Sequence, residues 1–211
     1  QQTSQYGGME ETMKNLELQK RANDVRKGIV TAVHGAKAGH PGGSLSAADI
    51  FTFLYFEEMN IDPKNPDMEE RDRFVLSKGH TAPGLYSALA YRGYFPVEDL
   101  PTLRHLGSYL QGDGEIEEGQ VWEAAMFAGF RKLDNLCVMV DNNNLQIDGP
   151  IDQVCSPYPI DKKFEAFNFH VINADAHDFD AIRAAFKEAR ETKGMPTCIV
   201  FHSLKGKGVS F

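Results

Sequence analysis

Apolar side chains recur every three or four positions between residues 13 and 37, which predicts an amphipathic helix. The stretch AGHPGG (38–43) ends that helix, because glycine and proline interrupt regular structure. A second helix is expected over ADIFTFLYFEEM (48–59), with Ser44 or Ser46 capping its start. The same helical spacing predicts further helices at residues 85–93, 97–106, 115–133, 162–167 and 179–194.

Short apolar runs between these helices predict β-strands at residues 74–77, 136–140, 170–174 and 197–203. Strands that alternate with helices indicate an α/β fold class: a doubly wound, mostly parallel sheet with helices on both faces. The pattern fits one domain over residues 13–211. Residues 1–12 are interpreted as a tail or a cloning remnant, because their first part is polar and glycine-rich.

Composition and charge narrow the classes of function. Apolar residues make up 42% of the 211 residues and charged residues 25%, as in ordinary globular domains. The net charge of −8 argues against a surface for nucleic acid, which requires clustered lysine and arginine. The apolar runs are all shorter than the ~20 residues of a membrane span, so no membrane association is expected. Three cysteines without a CxxC pair favour a cytoplasmic location.

Two loops carry the candidate chemistry. GDG (112–114) comes before a predicted helix, and DNNNLQIDG (141–149) follows a predicted strand. Each alone is a common turn sequence, but in a parallel sheet both loops fall on one edge. Asp113 and Asn143 then offer hard oxygen ligands to one Mg²⁺ ion. An EF-hand is rejected, because DNNNLQIDG has an apolar leucine where a ligand side chain is required.

Gly114 strengthens the interpretation of this edge as a phosphate site. Without a side chain, it lets a phosphate approach the backbone amides at the N-terminus of the following helix.

The motifs of this chain together resemble those of a known family. AGHPGGSLSAADI, DRFVLSKGH, GDGEIEEGQVWEA, DNNNLQIDG and the closing KGKG follow in the order of the transketolase branch of thiamine-diphosphate enzymes. The resemblance extends over residues 13–208, and the size of the chain is similar to the amino-terminal subunit of a split transketolase. It implies the diphosphate domain of the thiamine-diphosphate-binding fold.

The resemblance implies a ligand set for the metal and the cofactor. Asp113 and Asn143 would bind Mg²⁺, or Ca²⁺ or Mn²⁺ in its place, through their side chains. Leu145 would bind the same ion through its backbone carbonyl. Gly114 would lie against the diphosphate of thiamine diphosphate.

It also implies roles for two histidines and one glutamate. His80, in the KGH loop, would reach the diphosphate, and His40, in GHPGG, would face the substrate. Glu118 resembles a glutamate at the contact between the two halves of the site, although a solvated acid at a helix start is a comparable interpretation. A lone histidine is more often structural, but the positions of these two in glycine-rich loops favour the site.

The activity implied is transfer of a two-carbon ketol unit from a ketose phosphate to an aldose phosphate. The chain would act only with a partner subunit that supplies the pyrimidine-binding and carboxy-terminal domains, in an expected heterotetramer. The isolated chain is predicted to be inactive. The alternatives are a subunit of another thiamine-diphosphate enzyme, such as a deoxyxylulose-phosphate synthase, and a non-catalytic partner-binding or regulatory subunit.

The residues in front of GDG do not form the strand that this site requires. RHLGSYLQ (104–111) is not a buried strand pattern, and the family carries an additional segment between the equivalents of Gln111 and Gly112 that includes a strand. Three explanations stay open: a segment of the protein that this sequence omits, a natural or engineered shortening of the chain, or an error in the sequence.

The helix after GDG carries the small residues Ala124, Ala125, Ala128 and Gly129. They would allow close packing against another subunit or against the sheet of the same chain, and the sequence does not decide between the two.

Overall fold

The computed structural model describes residues 3–110, 120–146, 149–150 and 156–209. Helix α1, Thr3–Ala36, begins earlier than the predicted start at residue 13 and continues through most of the segment interpreted as a tail. Its buried side chains recur at helical spacing and face the core: Leu18, Ala22, Val25, Ile29 and Ala32.

The remaining helices of the described residues pack around a small parallel sheet. In chain order they are α2 (Pro41–Ser46), α3 (Ala48–Phe53), α4 (Ala82–Arg92), α5 (Gln120–Arg131), α6 (Ile160–Ala166) and α7 (Phe179–Glu191). A π-helical turn, Leu54–Glu58, extends α3, and 3₁₀ turns are found at Gly79–Thr81 and Val97–Thr102. The last of these replaces the longer helix predicted at 97–106.

The strands are β1 (Cys137–Asn142), β2 (Leu145–Gln146), β3 (Gly149–Pro150), β4 (His170–Asp175) and β5 (Thr197–His202). The sheet has the order β1-β5-β4, and both neighbouring pairs are parallel. Cys137 and His170 both lie opposite Thr197, so the three strands start at the same level. Strands β2 and β3 form a separate antiparallel hairpin.

Both faces of the sheet are covered, as predicted for a doubly wound fold. On one face, Ile199 and Phe201 of β5 pack in a core cluster with side chains of α1, α3 and α7. On the other face, Cys198 and Val200 pack with side chains of α5 and α6. The alternation of side chains along a strand sends successive residues of β5 into the two layers.

The strand predicted at residues 74–77 was wrong. These residues have no strand structure, and the side chain of Val75 is 81% exposed. Within the described ranges this segment pairs with no strand of the sheet. Phe74 packs onto the core instead, where its ring meets that of Phe51 edge to face with the centroids 6.0 Å apart.

Three of the four small residues of α5 face the inside of the chain. Ala125 and Ala128 are buried in the cluster with α6. A Cβ atom placed on Gly129 would lie 1.8 Å from the carbonyl oxygen of Phe167. Close packing within the chain therefore explains these three residues, whereas Ala124 is exposed.

Among the described residues, no helix is both long enough and apolar enough to cross a membrane.

Candidate functional site

The end of α2, the KGH loop and the loops after β1 and β5 meet around one buried carboxylate, that of Asp141. Only 8% of the Asp141 side chain is exposed. Ser46 Oγ donates to Asp141 Oδ2 over 2.6 Å, and Asn143 Nδ2 lies 3.3 Å from the same oxygen. The Lys78 ammonium forms an ion pair with Asp141 Oδ2, and the Ser203 hydroxyl donates to Oδ1. One carboxylate thus joins α2, the KGH loop, and the loops after β1 and β5.

The electrostatics of Asp141 follow from these contacts. Burial alone would raise the pKa of its carboxyl, but the charge and hydrogen bond of Lys78 and the hydroxyls of Ser203 and Ser46 hold that pKa below its ordinary value. The carboxylate stays ionised and pairs with the ammonium. The use of Ser46 here also corrects its predicted role, because α3 begins after Ala47 with no side-chain cap.

The rings of His40 and His80 lie against each other. Their ring centroids are 5.5 Å apart and the rings meet edge to face at 69°. His80 also lies close to Gly43, where a Cβ atom would be 3.2 Å from His80 Nε2. A side chain at position 43 would press against the His80 ring, so the glycine leaves room for the histidine beside α2.

The closing KGKG loop lies beside GHPGG. The amide of Gly206 donates to the carbonyl oxygen of Gly42 over 3.1 Å, and the Lys205 stem lies against Gly42. The Leu204 amide donates to His177 Nε2 over 2.9 Å. Because that ring nitrogen accepts, His177 Nδ1 carries the proton that it donates to Asp49 over 2.8 Å.

Asp49 is a second buried carboxylate, and it binds the two side chains, Arg26 and His177, that contact the KGKG loop. Arg26 binds it through two hydrogen bonds, of 3.0 and 2.7 Å, and also donates to the carbonyl oxygen of Lys207 over 3.0 Å. Burial alone would raise the pKa of Asp49, but the hydrogen bonds from His177 and Arg26 hold it below its ordinary value. The loop is therefore tied to α1, α3 and the segment after β4.

Two of the predicted metal ligands lie in the loop after β1. Asn143 Oδ1 accepts a hydrogen bond from the Leu145 amide over 3.2 Å, and Leu145 starts the β2–β3 hairpin. An amide oxygen has two lone pairs, so Asn143 can still bind an ion. The other predicted residues of this site, Asp113, Gly114 and Glu118, lie outside the described residues. Among those described, no three His, Cys, Asp or Glu side chains gather as a metal site.

Sequence reasoning missed the residues that hold the loops in place. Lys78, Asp141 and Ser203 carry the ion pair and hydrogen bonds, but only their neighbours were singled out. One signal was available: Asp141 follows the apolar run LCVMV directly, and a carboxylate at the end of a buried strand requires cationic or hydrogen-bonding partners.

Comparisons with known proteins give one family for the sequence. The sequence matches the family described as "Transketolase, thiamine diphosphate binding domain" over residues 18–112 and 109–210. It is 39% identical over 241 aligned residues to the 6-deoxy-6-sulfo-D-fructose transketolase subunit SqwG of Clostridium sp. (strain MSTE9), an alignment that covers 93% of this chain and 88% of that subunit. It is 33% identical to an apulose-4-phosphate transketolase subunit of Phocaeicola vulgatus, covering 94% of this chain and 86% of the relative.

Solved structures show the same family resemblance in the fold. The transketolase from Leishmania mexicana superposes with a TM-score of 0.86 at 27% identity. The superposition covers 92% of this chain and 37% of that transketolase, so the present chain spans little more than a third of its length.

Proposed function

The chain belongs to the transketolase family, as its thiamine diphosphate binding domain, and we propose that it is the subunit that holds the cofactor diphosphate and its metal ion in a two-chain transketolase. The observation that carries this proposal is the convergence of the GHPGG, KGH and asparagine loops at one edge of the sheet. The Lys78–Asp141 ion pair ties the KGH loop to the asparagine loop. The His40–His80 ring contact adds GHPGG to the same cluster.

The residues of the asparagine loop suit the proposed ion in their chemistry. Asn143 has an amide oxygen and Leu145 a backbone carbonyl, and Asp113 would add a carboxylate. Hard oxygens of this kind bind Mg²⁺, and also Ca²⁺ or Mn²⁺. We assign these three residues to the metal, and Gly114 to the diphosphate.

Thiamine diphosphate, when bound, would supply the carbon nucleophile for ketol transfer. The role of this chain is to orient the cofactor and keep water out of the site. His80 is positioned by Gly43 and by the ring of His40, and we assign it to the diphosphate. His40 is the residue of this pair that we assign to the substrate side.

Dependence on a partner is supported by the outer face of α5. Met126, Phe127 and Phe130 are large apolar side chains with 55%, 60% and 79% of their surface exposed. A cluster of this kind on a helix is typical of a protein interface. We assign this face to a partner subunit that carries the remaining domains of a transketolase, in a heterotetramer, with Glu118 proposed at the contact.

The proposed substrates are a ketose and an aldose that carry an anionic end group. Two relatives are named for sugars of this type, one a sulfonate and the other a phosphate. Sugar phosphates are the primary expectation. A deoxyxylulose-phosphate synthase is a weaker alternative, because these relatives are named as transketolases.

The function is tested by a coupled assay of ketol transfer with the chain alone, the partner alone and the two together. We expect turnover only for the mixture, and only with thiamine diphosphate and Mg²⁺. Turnover by the isolated chain would contradict the two-chain proposal. Absence of turnover for the mixture, together with no cofactor binding, would contradict the enzymatic one.

A non-catalytic subunit is the second candidate, and one observation favours it. The two matched stretches of the family meet at residues 109–112. The alignment to the Clostridium relative has 241 positions, more than the 211 residues of this chain. We infer that relatives carry residues between positions 111 and 112 that this sequence lacks. Intact mass of the purified protein distinguishes a true shortening, at 23.5 kDa, from a longer chain with a complete site.

A further inference from the structure

Tyr158 lies over the loop that carries Asn143. The tyrosine directly precedes Pro159 at the start of α6, and 38% of its surface is exposed. Its hydroxyl is 2.8 Å from Asn142 Oδ1 and also contacts Asn144 Oδ1. It therefore bridges the residues on either side of the proposed metal ligand.

The bridge is chemically asymmetric. A phenol has a single proton, so the Tyr158 hydroxyl can donate to only one of the two amides. The other contact is satisfied when that amide presents its NH₂ group and the phenol oxygen accepts. Both side chains are thus held by one oxygen atom, and Asn143 lies between them in the chain.

The backbone explains why such a bridge is needed. Asn144 has φ +61°, in the left-handed region that most side chains avoid and asparagine tolerates. The turn at Asn144 brings the Leu145 amide within 3.2 Å of Asn143 Oδ1. On its other side, Asn143 Nδ2 lies 3.3 Å from Asp141. The amide plane of Asn143 is fixed at both ends only while this turn persists.

We propose that Tyr158 is a positioning residue for the metal ligands of the asparagine loop. Its hydroxyl holds Asn142 and Asn144 so that the Asn143 side chain and the Leu145 carbonyl keep their relative positions. The proposal rests on the proposed function for the identity of the ion. The holding of the loop itself is a property of the chain without any ligand.

The test is Tyr158→Phe, which removes one oxygen atom and keeps the ring. Tyr109→Phe is the matched control, because the exposed Tyr109 also donates its hydroxyl to a side chain, that of Asp99. The first readout is hydrogen exchange of the Leu145 amide in the ligand-free protein. The second is the affinity for Mn²⁺ in the presence of thiamine diphosphate, measured by electron paramagnetic resonance.

In Tyr158→Phe we expect hydrogen exchange of the Leu145 amide to be roughly five-fold faster, because the net stabilisation by one hydrogen bond corresponds to about that factor. We expect Mn²⁺ affinity to fall about ten-fold, as when a residue that orients a metal ligand is lost. Asn142→Ala removes the bridge from the other side and should accelerate exchange at Leu145 in the same way. Tyr109→Phe should change neither quantity.

Unchanged exchange at Leu145 in both Tyr158→Phe and Asn142→Ala would overturn the proposal. Faster exchange with the same Mn²⁺ affinity would also overturn it, because the loop would then be held without serving the ion. If the unaltered protein bound no Mn²⁺ even with its partner subunit, the proposed function would fail instead. Exchange at Leu145 would still decide whether Tyr158 holds the loop.

Discussion

The ammonium of Lys78 lies against the carboxylate of Asp141, and this ion pair joins the KGH loop to the end of β1. Lys78 is two residues before His80, and Asp141 is two residues before Asn143. One contact therefore fixes the spacing between a residue assigned to the diphosphate and a residue assigned to the metal. Both charged side chains are largely buried, with 22% and 8% exposed.

Asp141→Asn should lower the free energy of unfolding by about 3 kcal/mol, because it leaves the Lys78 ammonium without its counter-charge. Urea unfolding at neutral pH measures the loss. Adding Lys78→Met should recover part of it, since the unpaired charge is then removed. Glu165→Gln breaks the exposed Lys162–Glu165 pair and should cause no measurable change. A double variant as unstable as Asp141→Asn would contradict this explanation.

Acid should destabilise the protein partly through Asp49. The folded-state pKa of this carboxyl lies below its ordinary value of 3.8. Its stabilising contribution is therefore complete above that value and is lost as pH falls through the lowered pKa. We expect urea unfolding of Asp49→Asn to show a smaller loss of stability between about pH 5 and pH 3 than the unaltered protein.

Gly129 should not tolerate a side chain, because a Cβ atom would overlap the carbonyl oxygen of Phe167 at 1.8 Å. Gly129→Ala is expected to cost about 3 kcal/mol or more, since α5 must move away from the loop after α6. Gly194→Ala is the matched control: its φ of +76° strains an alanine, but open space surrounds it. That variant should lose only about 1 kcal/mol. Equal losses in thermal unfolding would contradict a steric role for Gly129.

The sequence was sufficient for the parts of the fold that depend on local pattern. Strands β4 and β5 and helix α7 were predicted near their observed positions, because each has a clear apolar period and a turn at its ends. Residues 74–77 were not predictable in this way. Their apolar run resembles a strand, but a strand also needs a neighbour to complete its hydrogen bonds, and pattern alone contains no information on neighbours.

In the candidate site too, residues in local motifs were predictable, and residues whose role depends on tertiary contacts were not. His40, His80 and Asn143 were predicted as candidates because motifs single them out. Tyr158 was missed, since its role depends on a hydroxyl that meets two side chains 14 and 16 residues earlier in the chain. No spacing rule connects those positions. Asp141 lies between these cases, because its place at the end of an apolar strand indicated that partners exist but not which ones.

The outer face of α5 should decide whether a partner binds. Phe130→Asp places a charge in the most exposed part of the apolar cluster and should weaken association with the partner subunit by about thirty-fold or more. Titration calorimetry of the two purified chains measures the affinity. Val30→Asp makes the same kind of change at an exposed position of α1 and should leave the affinity unchanged. Equal affinities for both variants would place the interface elsewhere.

Removal of the Asn143 amide should weaken cofactor binding and leave folding intact. Asn143→Ala deletes one proposed metal ligand, so we expect the affinity for thiamine diphosphate with Mg²⁺ to fall by about ten-fold or more. Titration calorimetry of the two-chain protein measures this affinity, and a chelator should reproduce the loss in the unaltered protein. Asn135→Ala removes an exposed amide before β1 and should bind the cofactor normally. Metal-dependent binding that survives Asn143→Ala unchanged would remove this residue from the site.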